Sequence, residues 1–387
     1  MQEETTNTTE LTEADVENSA SEAPSSESDA QSSKKKRTLK ITFTVLFILA
    51  MVAVIAYTAI SDFSNENVNL GSVGEVIGEN WYYLLVLLGL FACTVIMETV
   101  KFFLMIRKTA RRYMLGTAFN CAALGKFYDY VTPFGSGGQP FQIYYLSKSG
   151  VDGGPAGAIP IGSMFLNQFA FFVCAIVSFI VGVERQMVPL GVQILAYFGS
   201  VCYISVSLFL VVFSFMPTAG HKVITWGVKV LTKLRICKTP EKWIDKGNRA
   251  IDNNKKNMGI LLKSKRVLIV CTLLSFVFNI AQCSMPYFTL MLFDAVPLSW
   301  EKWFEITRVT FFIYCAITIV PTPGNSGAAD GTFYGLFGSV LMAGTLFTGM
   351  MIWRVFSFYS YILLGIVVTI ITKIIARVRA KRANKLL

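Results

Sequence analysis

Two arginines stand in largely apolar stretches of the sequence, where a permanently charged side chain is costly and usually serves a function. Arg308 lies in the segment 303–352, and Arg354 directly precedes an aromatic-rich stretch. A guanidinium group can donate two parallel hydrogen bonds, which matches the oxygen atoms of a phosphate. Asp330 lies between the two arginines and can orient an arginine or carry a proton. These residues predict a site that binds an anionic headgroup.

Two further pairs of charged residues, Glu98 with Lys101 and Lys126 with Asp129, are each three positions apart in the sequence. Glu98 and Lys101 are one helical turn apart in an apolar run, so they can form an intramembrane pair. Alternatively, they lie near the cytoplasmic end of that run and Lys101 extends to the interface. Lys126 and Asp129 lie just before the first Gly/Pro motif, where they form the polar edge of the substrate site. Alternatively, they form an ordinary salt bridge beside a loop.

Two segments, 114–150 and 303–352, have apolar stretches that Pro and Gly interrupt. Thr132-Pro133-Phe134-Gly135-Ser136-Gly137-Gly138 aligns with Thr322-Pro323-Gly324-Asn325-Ser326-Gly327-Ala328 at a constant offset of 190, with identity at Thr, Pro, Ser and the following Gly. Similar flanking spans make this an internal repeat. The predicted substrate-binding residues are Thr132, Pro133, Gly135, Gly137, Gly138, Gln139, Arg308, Pro323, Gly324, Gly327, Asp330 and Arg354.

The interrupted segments favour re-entrant helical hairpins. A broken helix exposes backbone N–H and C=O groups, which inside a bilayer must face protein or a hydrated cavity. The N-terminus of a half-helix carries partial positive charge and free donors, which suits a phosphate. The alternative is two loops at the membrane surface.

No catalytic set of residues is visible. The single histidine, His221, stands without a nearby carboxylate or thiolate, and the eight cysteines have no disulfide or zinc spacing. A Gly-x-Ser-x-Gly motif and a phosphate-binding Gly-x4-Gly-Lys-Ser/Thr loop are also missing. We therefore expect no catalytic residues, no metal and no cofactor.

The elements that position these residues are long apolar helices. The sequence is 53% hydrophobic and only 15% charged, which excludes a single water-soluble core. Apolar runs long enough to cross a bilayer occur at about 41–60, 81–106, 155–183, 189–215, 266–293 and 355–374. The prediction is an all-α polytopic membrane protein with six full transmembrane helices and two re-entrant hairpins.

The charge distribution predicts the orientation. Residues 1–33 carry nine acidic groups and no basic one, so 1–39 is expected to be a disordered acidic tail that ends in a basic anchor. The loop 217–265 and the tail 376–387 are basic, which places both termini in the cytoplasm. The loop 217–265 is predicted to form an amphipathic helix on an anionic inner leaflet, or a solvated connector. These charges beside apolar spans argue against nucleic-acid binding.

The transmembrane domain is expected to span 40–375. Repeat A, 81–183, and repeat B, 266–374, then begin on opposite faces of the membrane and form an inverted repeat, with one hairpin entering from each side.

The two motifs, with Gln139, Leu146 and Gly150 after the first and Arg354 ahead of 356–361, make the chain resemble the lysylphosphatidylglycerol synthase transmembrane region, a flippase-like membrane family. In full-length multiple peptide resistance factors of this type, the membrane domain moves aminoacylated phosphatidylglycerol to the outer leaflet. A separate soluble domain transfers the lysine. The resemblance implies a bacterial cell-membrane protein that keeps the translocating half and lacks the transferase half.

The functional prediction is translocation of an anionic or aminoacylated phospholipid, such as lysyl-phosphatidylglycerol, or of another lipid-linked substrate. The alternatives are a phosphatidylglycerol lysyltransferase, with a role in resistance to cationic antimicrobial peptides, a carrier for a small anion, and a scaffold for envelope enzymes. The expected protein partners are a second copy of the chain or a separate aminoacyl-lipid synthase.

Overall fold

The computed structural model describes residues 74, 77–132, 135–181, 190–202 without 192 and 195, 205, 217–233, 240–317, 320, 322–341 and 345–383. All of them belong to one structural unit, Ile55–Leu387. The predicted acidic tail and the first predicted span, 41–60, lie outside these residues, as does much of the span at 189–215.

The described residues contain helices and no strand. The helices with both ends among the described residues are α1 Tyr82–Ala110, α2 Leu115–Val131, α3 Gly138–Lys148, α4 Gly153–Val181, α5 Pro217–Lys233, α6 Pro240–Lys263, α7 Lys265–Leu292, α8 Trp300–Ile317, α9 Ala328–Phe337, α10 Leu346–Arg354 and α11 Ser360–Ala383. A 3₁₀ turn, Pro323–Asn325, precedes α9, and a π-helix, Val355–Tyr359, joins α10 to α11.

Four of the described helical stretches are long and apolar enough to cross a membrane: Tyr82–Ala110, Gly153–Val181, Lys265–Leu292 and Leu346–Ile375. They correspond to the predicted spans at 81–106, 155–183, 266–293 and 355–374. The multi-pass, all-α character is therefore confirmed for this part of the chain. The six full spans and the two re-entrant hairpins remain predictions.

The last of these stretches begins earlier than predicted. The sequence prediction placed Arg354 just before the final span, but the helix starts at Leu346 and continues past Arg354 through the π-helix. The prediction was wrong because Asp330 is an ion-pair partner of this arginine. A paired charge can be accommodated inside a span.

The long helices pack through apolar side chains and through glycines that allow close approach. One buried cluster includes Phe102, Ile106 and Ile159, and another includes Phe312 and Phe333. Gly365 on α11 lies so close to α2 that an added Cβ would be 2.3 Å from the Cβ of Phe127. Small residues at such crossings are typical of membrane helices.

The two interrupted segments have the same local form. Each is a helix, a Thr-Pro loop and a second helix: α2 and α3 in the first, α8 and α9 in the second. The aligned residues Gly135 and Asn325 both have left-handed backbone conformations, with φ of 59° and 55°. Gly and Asn are the residues that adopt this conformation most readily. The two loops therefore share a left-handed residue at this position, whereas the aligned Gly137 and Gly327 differ, with φ of −86° and 82°.

The basic segment 217–265 contains two helices, α5 and α6, which pack together. His221 Nε2 on α5 lies 3.2 Å from Asp252 Oδ1 on α6. The prediction that His221 has no nearby carboxylate is therefore wrong, because the packing of α5 against α6 brings together residues that are distant in sequence.

Candidate anion site between the hairpins

Arg354 is the central residue of the candidate site. It is 5% exposed, and its Nε donates a hydrogen bond to Oδ1 of Asp330. Its Nη1 donates to the carbonyl oxygen of Gly324 at 3.3 Å. The guanidinium carbon also lies 5.3 Å and 5.6 Å from the ring centroids of Trp353 and Phe358. Both the charge and the orientation of the guanidinium are therefore fixed by the protein.

Asp330 links the arginine to the second hairpin loop. While one carboxylate oxygen accepts from Arg354, the other accepts from the backbone N–H of Gly327 at 2.8 Å. This second bond caps the N-terminus of α9, where an acidic side chain is favourable. A single carboxylate thus stabilises the start of a helix and orients the arginine.

The loop itself requires glycine. Gly324 has a φ of 59°, and an added Cβ would lie 1.9 Å from the Phe358 ring. Gly327 has a φ of 82° and precedes α9. Most L-residues disfavour these conformations, so the predicted importance of the two glycines has a conformational basis.

The π-helix after Arg354 connects the site to the first hairpin. A π-helix has i→i+5 hydrogen bonds, so its backbone N–H and C=O groups depart from the i→i+4 pattern of an α-helix. The carbonyl oxygen of Ser357 accepts hydrogen bonds from the Tyr130 hydroxyl at 3.2 Å and from Gln282 Nε2 at 3.4 Å. The Tyr130 ring also packs against Phe358, with centroids 5.1 Å apart. The turn Pro323–Asn325 contacts α2 as well, so the two hairpins meet beside the π-helix.

Two polar atoms of the site have unused hydrogen-bonding capacity. Arg354 Nη2 and Gln282 Oε1 are buried and have no hydrogen-bond partner among the described residues. Leaving such groups unpaired is unfavourable, so each is suited to a ligand. Nη2 would donate to an anionic oxygen, and Oε1 would accept from a hydroxyl or ammonium group.

The predicted residues of the first loop bond mainly to one another. The backbone N–H of Gly137 donates to Thr132 Oγ1 at 2.8 Å, and that of Gly138 donates to Asp129 Oδ1 at 2.9 Å. Gln139 follows in the first turn of α3. Pro133 lies outside the described residues. These bonds join the end of α2 to the start of α3, and Tyr130 lies in the last turn of α2.

Lys126 and Asp129 make different contacts. The ammonium nitrogen of Lys126 lies 4.8 Å from the centroid of the Phe278 ring, whereas Asp129 accepts from the loop.

Arg308 does not join the Arg354 site. It lies on α8 and lines a separate cavity between α4, α7 and α8. None of the residues lining that cavity is Arg354, Asp330 or Gly324. The sequence prediction placed the headgroup beside Arg308 or Arg354, and the two arginines have different surroundings in the structure.

Glu98 and Lys101 form a buried ion pair. Lys101 Nζ lies 2.7 Å from Glu98 Oε2, and the two residues are 1% and 6% exposed. Lys101 Nζ also donates to Asn167 Oδ1 at 2.6 Å, and Asn167 Nδ2 donates back to the Glu98 carboxylate at 3.2 Å. Ser163 donates to Glu98 Oε1 at 3.2 Å.

This network joins three helices. Glu98 and Lys101 belong to α1, Ser163 and Asn167 to α4, and Asn279 on α7 donates to the backbone oxygen of Asn167 at 3.1 Å. Because both charges are paired and further hydrogen-bonded, the arrangement meets the conditions under which a buried pair is tolerated. It stabilises the crossing of α1, α4 and α7.

Sequence reasoning missed Tyr130 and Ser357. Tyrosines are common at membrane interfaces, so nothing in the sequence distinguishes Tyr130 from the others. Ser357 acts through its backbone oxygen, which has no sequence signal. In the sequence, Gln282 is an amide within an apolar run and carries no further signal.

The comparisons with known proteins agree with the resemblance drawn from the motifs. A family model described as "Lysylphosphatidylglycerol synthase TM region" matches residues 37–365. No curated protein and no solved structure gives a match.

Proposed function

We propose that this chain, which belongs to the lysylphosphatidylglycerol synthase TM region family, translocates anionic or aminoacylated phospholipids across the cell membrane. Family membership and the four candidate membrane-spanning helices make it a multi-pass membrane protein. The observation that carries the proposal is the guanidinium of Arg354, which is buried beside the turn Pro323–Asn325 and whose Nη2 has no partner among the described residues.

In this proposal the headgroup phosphate binds Nη2 of Arg354. Asp330 and the carbonyl oxygen of Gly324 hold the guanidinium in place, so the headgroup meets an already oriented donor. Gln282 Oε1 accepts a hydrogen bond from a glycerol hydroxyl or a lysyl ammonium group of the headgroup. The acyl chains stay in the bilayer.

Asp330 also limits how tightly the headgroup binds. A transport site must bind its substrate well enough to admit it and weakly enough to release it. The Asp330 carboxylate neutralises much of the Arg354 charge, which lowers the attraction for an anion. The ion pair thus favours passage of the lipid over its retention.

The proposed path runs between two hairpins that enter from opposite faces, with both termini in the cytoplasm. Shared loop geometry at Gly135 and Asn325 supports the repeat. Cysteine substitutions at Ser136 and Ser326, labelled from each side of sealed vesicles, would test the topology. Labelling of both sites only from the cytoplasmic side would contradict the inverted arrangement.

The function is tested with purified protein in phosphatidylcholine vesicles. Fluorescent phosphatidylglycerol and its lysyl form are incorporated, and their movement between leaflets is followed by quenching from outside. We expect both lipids to move faster than in protein-free vesicles. Transfer of neither lipid would contradict the proposal.

The same preparation separates the other functional classes. Synthesis of lysyl-phosphatidylglycerol from lysyl-tRNA by this chain alone would indicate the lysyltransferase. Uptake of a soluble anion regardless of lipid composition would indicate a carrier. Under the proposal, any lysyl lipid is supplied by a separate synthase.

A further inference from the structure

The cavity beside Arg308 is the strongest feature outside the Arg354 site. Its volume is about 320 Å³, within the range of small-molecule sites. Its walls are almost wholly apolar and include Val177, Ile280 and Phe311. Arg308 is the one charged residue among those that line it. Such a site fits an alkyl chain with an anionic end.

Two of the three guanidinium nitrogens of Arg308 are buried without a partner in the part of the chain that the structure describes. Its Nε and Nη1 atoms are buried and have no hydrogen-bond partner among the described residues. A guanidinium group keeps its charge in proteins, so deprotonation cannot relieve this situation. An unpaired buried cation is strongly unfavourable. An anion bound from outside the chain would supply the missing partner.

Three other polar side chains in the cavity wall, those of Ser178, Thr307 and Trp303, already have partners. Ser178 donates to the carbonyl oxygen of Cys174 at 2.9 Å, and the Thr307 hydroxyl lies 3.4 Å from that of Ser284. Trp303 Nε1 donates to Ser284 Oγ at 3.0 Å. Among the lining residues, the buried polar atoms that lack a partner thus belong to Arg308, and a bound molecule needs an acceptor beside that guanidinium.

Exposed aromatic residues lie beside the cavity. Trp300 is 75% exposed, and its ring stacks on Trp303 with centroids 4.6 Å apart. Tryptophan concentrates at the level of lipid headgroups. In a membrane, the molecules that touch these rings and combine acyl chains with an anionic phosphate are phospholipids.

We propose that this cavity is a second lipid site, which binds an anionic phospholipid with its phosphate on Arg308 and one acyl chain against the apolar wall. The assignment does not depend on whether the chain translocates lipid. It rests on the unpaired donors of Arg308 and on the absence of a carboxylate among the residues that line the cavity.

Tryptophan fluorescence tests the proposal directly. Full-length protein is reconstituted in phosphatidylcholine vesicles that contain a small fraction of phosphatidylglycerol brominated at mid-chain. Bromine quenches tryptophan only at short range, so Trp300 and Trp303 report on an acyl chain in the cavity. Brominated phosphatidylcholine at the same fraction is the lipid control.

We expect the anionic lipid to quench at a roughly ten-fold lower fraction than the neutral one, the effect of one charge-assisted hydrogen bond. Arg308→Gln should abolish this preference, and Arg308→Lys should retain part of it. The double variant Trp300→Phe/Trp303→Phe should lose the lipid-specific quenching. Arg354→Gln should keep the preference, which separates this site from the proposed translocation.

Three outcomes would overturn the assignment. The first is equal quenching by both lipids in the wild-type protein. The second is a preference that survives in a folded Arg308→Gln protein or in the double tryptophan variant. The third is stronger quenching by a brominated fatty acid than by phosphatidylglycerol, which would replace the phospholipid with a free acyl anion.

Discussion

The hydroxyl of Tyr130 donates a hydrogen bond to the carbonyl oxygen of Ser357, and these residues lie 227 positions apart in the sequence. Tyr130 comes just before the first hairpin loop, and Ser357 lies in the π-helix that follows Arg354. The first hairpin is therefore bonded to the helix that carries the candidate anion site.

Tyr130→Phe removes this bond and keeps the ring that packs on Phe358. We expect a loss of about 1 kcal/mol in stability, since Ser357 still accepts from Gln282. The rate of lipid transfer should fall by more than this small loss of stability explains, because the hydrogen bond between α2 and the π-helix is lost. Thermal unfolding in detergent and transfer in vesicles measure the two effects. Unchanged transfer in the variant would show that the link has no role in transport.

Asp330 and Arg354 should be energetically coupled. Removal of either charge leaves its partner buried and unpaired, which costs about 3–5 kcal/mol. The double variant Asp330→Asn/Arg354→Gln should be less destabilised than the sum of the single variants. Unfolding of all four proteins completes the cycle. Additive effects would contradict the coupling.

The pair Glu98–Lys101 is expected to be structural. Glu98→Gln and Lys101→Met should each destabilise the protein by about 3–5 kcal/mol, and the double variant should recover much of the loss. Because the network joins helices and its charges are satisfied, the folded double variant should still transfer lipid. Loss of transfer in a stable double variant would assign the pair to the substrate path instead.

Gly324→Ala tests the shape of the second loop. The new methyl group would meet the Phe358 ring, and the left-handed backbone disfavours alanine, so we expect a loss of about 2–4 kcal/mol. Gly335→Ala on α9 is the matched control, because its Cβ meets nothing within 4 Å. That change should be neutral or stabilising by up to about 1 kcal/mol. Equal effects of the two substitutions on thermal unfolding would contradict the close packing at Gly324.

The sequence singles out Arg354 and Asp330 more readily than it shows the contact between them. Arg354 and Asp330 stand out because charges are rare in apolar segments. Their ion pair joins positions 24 residues apart across two helices, and no sequence period links them. The prediction therefore identified both residues but did not show that they bind each other.

Arg308 shows the limit of reasoning from residue type. The sequence offers Arg308 and Arg354 as alternative contacts to a headgroup, and their residue type does not separate them. In the fold, α8 presents it to the cavity between α4 and α7, away from the loops. The π-helix was also beyond sequence reasoning, because Val355–Tyr359 contains neither Pro nor Gly to mark an irregular helix. Asn167, by contrast, makes the interhelical hydrogen bonds expected of a buried amide.

The measurement that tests the central claim most directly compares Arg354→Gln with Arg266→Gln in the vesicle assay for phosphatidylglycerol. Both variants lose one guanidinium group, but Arg266 is exposed at the start of α7 and lies outside the candidate site. We expect transfer to fall about ten-fold or more in folded Arg354→Gln, by loss of a charge-assisted hydrogen bond, and to stay near the wild-type rate in Arg266→Gln. Equal rates in the two variants would contradict the claim that the buried arginine binds the headgroup during translocation.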